Sequence, residues 1–150
     1  MRKYLLLTFI MILPLLLLSF GCKALSVDGN GNGDEINVVG TWIFTNVLQT
    51  NSEDVHTRTF VLTGDKNAGT VSESISGNTS GTYTVTDNQF RMDLKNFDAS
   101  YRWTHDYEGT ITDNHTMSGT MKTTTYPPTG DDVVWEGTYN YTAERKSFKK

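Results

Sequence analysis

From residue 38 onward the chain alternates between apolar and polar positions with a period of two. Phe90, Met92 and Leu94 fall on one side of an extended segment, and Gln89, Arg91, Asp93 and Lys95 on the other. Tyr101, Trp103, His105, Tyr107 and Ile111 share one face of a later segment, opposite Arg102, Thr104, Asp106 and Glu108. Further on, Met117 and Met121 are in phase with Gly119, and Val133, Trp135, Tyr139 and Tyr141 fall in line. This is the period of a half-buried strand, and no stretch carries a helical period. Eight strands are predicted, over residues 38–48, 55–63, 69–75, 81–86, 89–94, 100–112, 115–126 and 133–145. Turn chemistry separates them: Gly64-Asp65-Lys66-Asn67, Ser76-Gly77-Asn78, Asp87-Asn88, Asp113-Asn114 and Pro127-Pro128. Asp and Asn tolerate positive φ and suit tight hairpins. Short connections make successive strands antiparallel neighbours. No connection is long enough for the return of a Greek key. The expected fold is therefore all-β, an antiparallel up-and-down barrel of about eight strands, in which closure removes exposed edges.

A second pattern supports closure. Gly-Thr followed by a large or branched apolar residue occurs at Gly40-Thr41-Trp42, Gly69-Thr70-Val71, Gly81-Thr82-Tyr83, Gly109-Thr110-Ile111, Gly119-Thr120-Met121 and Gly137-Thr138-Tyr139. Thr and the apolar residue favour a pleated strand. A Gly within a strand marks a bend or a close backbone approach. One bend per strand curls a sheet into a narrow barrel.

The first 37 residues differ from the rest. Met1-Arg2-Lys3 is basic, Tyr4 to Phe20 is almost wholly apolar, and Gly21-Cys22 closes the run. That order is a secretory signal, and the run is short for a membrane span of about 20 apolar residues. Cys22 is the only cysteine and has no partner for an intramolecular disulfide. Leu18-Ser19-Phe20-Gly21-Cys22 resembles a bacterial lipoprotein signal, with Gly21 as the small residue before the cysteine and Ser19 where Leu is usual. The resemblance implies that the Cys22 thiol takes a diacylglycerol and that Cys22 becomes the mature N-terminus. Lys23, where that family's inner-membrane retention residue would be Asp, points to the outer membrane of a bacterial envelope. The expected organisation is a signal peptide at 1–21, a tether at 22–37, the barrel at 38–145 and a basic tail at 146–150.

Charge narrows the partners. Loss of Arg2 and Lys3 would leave 11 of the 13 basic residues against 17 acidic, taking the net charge from −4 to −6. That argues against nucleic acid, which needs clustered positive charge. The tether is Gly-rich and offers nothing to bury, so flexibility is expected. Asp28, Asn30, Asn32 and Gly33 match the first half of a calcium loop, but the position for its bidentate Glu is Val39. No metal or other cofactor is expected.

Catalytic patterns are thin. His56, His105 and His115 lie on different strands or turns without metal spacing, and no nucleophile elbow is present. An enzyme is not the expected reading. Glu73 is in phase with Val71 and Ile75. Either a carboxylate points inward or a bulge resets the phase, and the bulge is the expected resolution. Glu73 and His105 would work as acid and base only if they met across the lumen. His105 is either a hydrogen-bonded core residue or a ligand contact. The lumen face of the sixth and eighth strands gathers Trp103, His105, Tyr107, Trp135, Tyr139 and Tyr141, with Met117 and Met121 between them. That patch suits an apolar body gripped by rings, with one polar end held by His105 or a Tyr hydroxyl.

Gly40-Thr41-Trp42 on the first strand, with Arg145 near the end of the last, resembles the signature of the calycins, the superfamily of lipocalins, fatty-acid-binding proteins and avidins. The resemblance implies that Trp42 sits at the barrel floor and that Arg145 stacks on it and closes the base. The lipocalins' C-terminal helix, disulfide and long gating loop have no counterpart here. Two functions stay open. One is a membrane-anchored lipoprotein whose barrel binds a small, mainly apolar ligand. The other is an envelope interaction module or inhibitor whose barrel is filled by its own side chains. An internal cavity of about 300 Å³ or more favours the first.

Overall fold

The computed structural model describes residues 35–74 and 78–147. The signal segment, Cys22, the calcium-like stretch and most of the tether lie outside the described residues, as do Ile75 and the end of the tail. Eight strands follow one another: β1 (Gly40–Leu48), β2 (Asn51–Gly64), β3 (Ala68–Glu73), β4 (Ser80–Thr86), β5 (Gln89–Phe97), β6 (Arg102–Asp113), β7 (Thr116–Tyr126) and β8 (Trp135–Arg145). Each pairs antiparallel with the next, and β8 pairs antiparallel with β1, giving a closed barrel in sequence order. Among the described residues there is no helix.

The alternation places the apolar faces inward. Trp42 and Phe44 on β1, Phe60 and Leu62 on β2, and Phe90, Met92 and Leu94 on β5 are buried. Phe44 stands at the centre of an aromatic plug. Its ring centroid lies 5.3 Å from those of Phe60, Tyr107 and Tyr141, and 6.3 Å from that of Phe90. Aromatic pairs at such separations add to area burial.

One end of the barrel is sealed. Trp42 lies at the floor and donates its indole N–H to the carbonyl of Val38 at 2.7 Å. Arg145 is the direct partner of Trp42 across the β1–β8 seam. Its guanidinium donates to the carbonyls of Asn37 (3.2 Å), Asn114 (3.4 Å) and Val39. These bonds tie the entering chain and the β6–β7 turn to the last strand. Gly40 has φ of +143°, and a Cβ there would come within 3.1 Å of Arg145 Nε. The glycine that opens the first Gly-Thr copy therefore lets the guanidinium lie over the backbone.

A second pair of these glycines has a packing reason. Gly109 and Gly119 face each other across β6 and β7. A Cβ on Gly109 would lie 2.3 Å from the Tyr141 hydroxyl and from the Ser118 carbonyl oxygen. The Tyr141 hydroxyl fits there because that position is bare.

Several boundaries differ from expectation. β2 begins at Asn51 rather than residue 55. Its first residues are polar because they rise beyond the barrel wall into solvent, so burial imposes no alternation on them. β6 begins at Arg102, leaving Tyr101 42% exposed, and β8 begins at Trp135, leaving Val133 and Val134 in the preceding loop. Tyr101 and Val133 thus do not join the lumen face. The expected bulge at Glu73 is also corrected. The β2–β3 register runs from Phe60↔Glu73 to Gly64↔Gly69 without a shift, so Glu73 faces inward like Val71. It is accommodated there because Arg58, inward on the neighbouring strand, meets it.

Candidate functional site

The end opposite Trp42 and Arg145 is hollow. A cavity of about 380 Å³ is lined by Asn46, His56, Thr57, Arg58, Asn96, Trp103, His105, Met121, Thr123, Thr125, Trp135 and Tyr139. Strand direction explains the position. These residues come from the end of β1, the first half of β2, the end of β5, the start of β6, the second half of β7 and the start of β8. In a meander barrel those segments converge on one rim. Exposed Val55, Phe97, Tyr101, Val134 and Trp135 belong to the same end.

The aromatic wall is built by local packing. Gly137 lies inward on β8, and a Cβ there would meet the Trp135 ring at 2.2 Å. The indole therefore lies down over the bare backbone, with its centroid 6.5 Å from that of Tyr139. Trp103 stands on β6 beside Tyr101, at 5.9 Å between centroids. Of the six residues expected to form a ligand patch, Trp103, His105, Trp135 and Tyr139 line the cavity. Tyr107 and Tyr141 do not. They face the lumen, but one step further toward the sealed end, within the plug around Phe44. Met121 lines the cavity and Met117 packs below it.

The cavity floor is polar. Arg58 donates through Nε to Glu73 Oε1 at 2.9 Å and through Nη2 to Glu73 Oε2 at 3.0 Å. Thr79 donates its hydroxyl to Glu73 Oε2 at 2.8 Å. The Arg58 guanidinium also lies 5.5 Å from the Phe60 ring centroid. Burial works to lower the Arg58 pKa, but the hydrogen bond and charge of Glu73, with Tyr107, outweigh it and the net direction is upward. The Arg58 guanidinium is thus held charged beside the Glu73 carboxyl. His105 Nδ1 is 2.9 Å from Thr123 Oγ1. Burial, and secondarily the Arg58 charge, push its pKa down to about 4 against the opposing pull of Glu73. The imidazole is neutral at neutral pH.

Three buried polar atoms lack a hydrogen-bond partner among the described residues: Asn46 Oδ1, the Tyr107 hydroxyl and the Tyr141 hydroxyl. Asn46 is wholly buried, and its Nδ2 donates to the His56 carbonyl at 3.2 Å, which orients the amide. Burial pushes both tyrosine hydroxyls well above their ordinary pKa. Arg58 and Asn46 oppose the rise at Tyr107 without reaching hydrogen-bond geometry.

Asn46, Arg58, Thr123 and Thr125 were not singled out by their residue types. Phase alone marks two of them: Asn46 follows Trp42 and Phe44 at a step of two, and Arg58 precedes Phe60 and Leu62 likewise. Glu73 and His105 do come near enough for their charges to interact, but Arg58 engages the carboxylate, so no acid–base pair forms. Among the described residues no group of three or more His, Cys, Asp or Glu is placed to hold a metal ion. At the rim, His56 Nε2 lies 2.6 Å from Asp54 Oδ1.

No protein-family model and no curated protein matches the chain. Among solved structures it is similar to that of EF1p2_mFAP2b bound to DFHBI. The TM-score is 0.56 at 11% identity, over 73% of this chain and 94% of that one. At that identity the likeness is one of fold.

Proposed function

We propose that this protein is a lipid-anchored bacterial envelope protein whose calycin-like barrel takes up a small, mainly apolar ligand at its open end. The cavity carries the reading. At about 380 Å³ it falls in the size range of small-molecule sites. Its apolar walls are Trp103, Trp135, Tyr139 and Met121, and Asn46, Arg58 and His105 supply polar groups at the inner end. Such a division grips an apolar body by ring contact and fixes one end by hydrogen bonds. The structural neighbour with bound DFHBI supports small-ligand binding by a barrel of this kind. The interaction-module alternative depends on a filled lumen, and only the half around Phe44 is filled.

The test is native mass spectrometry of the full chain purified from a bacterial envelope. One co-purifying small molecule per chain is expected, lost in Trp103→Ala. A chain that carries none, and that a panel of apolar molecules leaves unchanged in Trp emission, contradicts the reading. The anchor is tested separately. A fatty-acid probe should label the chain and send it to the membrane fraction, and Cys22→Ser should abolish both. Equal labelling of Cys22→Ser rejects the anchor without touching the cavity.

A further inference from the structure

We infer that the cavity selects a neutral ligand, one whose apolar body ends in a hydroxyl or an amide N–H, and discriminates against carboxylates and amines. The inference rests on the ligand-binding reading above and names the chemical class that the floor fits.

Every full charge at the floor is already matched. Arg58 is the one arginine or lysine lining the cavity, and two of its nitrogens are held by Glu73; His56, at the rim, is paired with Asp54. Both oxygens of Glu73 are engaged in return, one of them also by Thr79. His105 carries no charge at neutral pH. A ligand carboxylate entering here would surrender its hydration and find an arginine already neutralised, beside a carboxylate of its own sign. A ligand ammonium would find Glu73 already taken. A buried charge without a counter-charge is strongly disfavoured. An alkyl chain with an arginine in view would ordinarily suggest a fatty acid, but the ion pair cancels that attraction.

What the floor leaves unmatched is an acceptor on Asn46, a residue that lines the cavity. Asn46 Oδ1 is buried and unpartnered, on an amide whose orientation the His56 carbonyl fixes. A buried acceptor without a donor is costly, and a donor supplied by the ligand relieves that cost. A hydroxyl or an amide N–H donates without bringing charge.

Four probes with one tail test this on the full chain at neutral pH: decanol, decanamide, decanoate and decylammonium, titrated by calorimetry. Decanol and decanamide are expected to bind at least about tenfold more tightly than the two ions. Asn46→Leu should weaken decanol by about tenfold and leave decanoate unchanged. Glu73→Gln frees the Arg58 charge, so it should strengthen decanoate and narrow or invert the preference. Because the comparison of the four probes is made on the unaltered protein, it stands even if a variant fails to fold. Decanoate or decylammonium binding as well as decanol overturns neutral selection and leaves the ligand site standing. No binding of any probe overturns the ligand site itself.

Discussion

Arg58 on β2 and Glu73 on β3 form a two-point ion pair inside the barrel, with contacts of 2.9 and 3.0 Å and side chains only 18% and 11% exposed. The pair divides the lumen in two. Below it, Phe44, Phe60, Phe90, Tyr107 and Tyr141 pack into a plug. Above it, the wall opens into the cavity. Removing one partner strands a charge, so Arg58→Met and Glu73→Leu should each cost about 3 kcal/mol, the low end for a broken buried pair. The double variant Arg58→Met/Glu73→Leu should recover most of that loss. Urea denaturation of the four proteins measures the coupling, and additive losses in the double variant would mean that the pair is not a unit.

Tyr141 gives an opposite expectation. Its hydroxyl is buried against Gly109 without a hydrogen-bond partner. A buried hydroxyl of that kind opposes folding. Tyr141→Phe keeps the ring contacts with Phe44 and Tyr107 and should leave stability unchanged or raise it by about 1 kcal/mol. A loss of the same size, read by thermal unfolding, would show that the hydroxyl makes a bond in solution.

His105 predicts a pH dependence. Its pKa of about 4 in the folded chain lies below the ordinary 6.5. Between these values the unfolded chain binds a proton that the folded chain refuses, so stability rises with pH across this window and falls on acidification. The full difference is about 3 kcal/mol, gained by pH 7 and lost as pH falls toward 4. The facing charges are Arg58, which reinforces the shift, and Glu73, which opposes it. Denaturation at a series of pH values should show this slope, and His105→Gln should flatten it. An unchanged slope in His105→Gln would assign it to other groups.

Much of the barrel was legible because burial on one face forces a period of two. Phe90, Met92 and Leu94 declare their strand without ambiguity. Asn51 to Asp54 do not, since a hairpin standing clear of the wall has no buried face to pattern it. The aromatic half of the site was legible for the same reason as the core: Trp103, Trp135 and Tyr139 are apolar residues in phase. Depth was not. Phase puts Tyr107 and Tyr139 on the same face, but only strand stagger places one in the plug and the other at the cavity. Polar members were hidden by type. Arg58 reads as an exposed residue until Glu73, on another strand, is known to face it, and a lone inward Glu73 reads more naturally as a bulge.

The three tryptophans divide between the two halves of the lumen, and this gives the most direct test. Trp42 lies in the sealed floor, whereas Trp103 and Trp135 line the cavity. Trp42→Phe reports only from the cavity, and Trp103→Phe/Trp135→Phe only from the floor. Both are titrated with decanol, and native mass spectrometry establishes that each carries the bound molecule. A saturable change in emission is predicted for Trp42→Phe, with the floor reporter unmoved. Emission that responds from Trp42 alone, or from neither protein, would contradict a ligand held in the open half of the barrel.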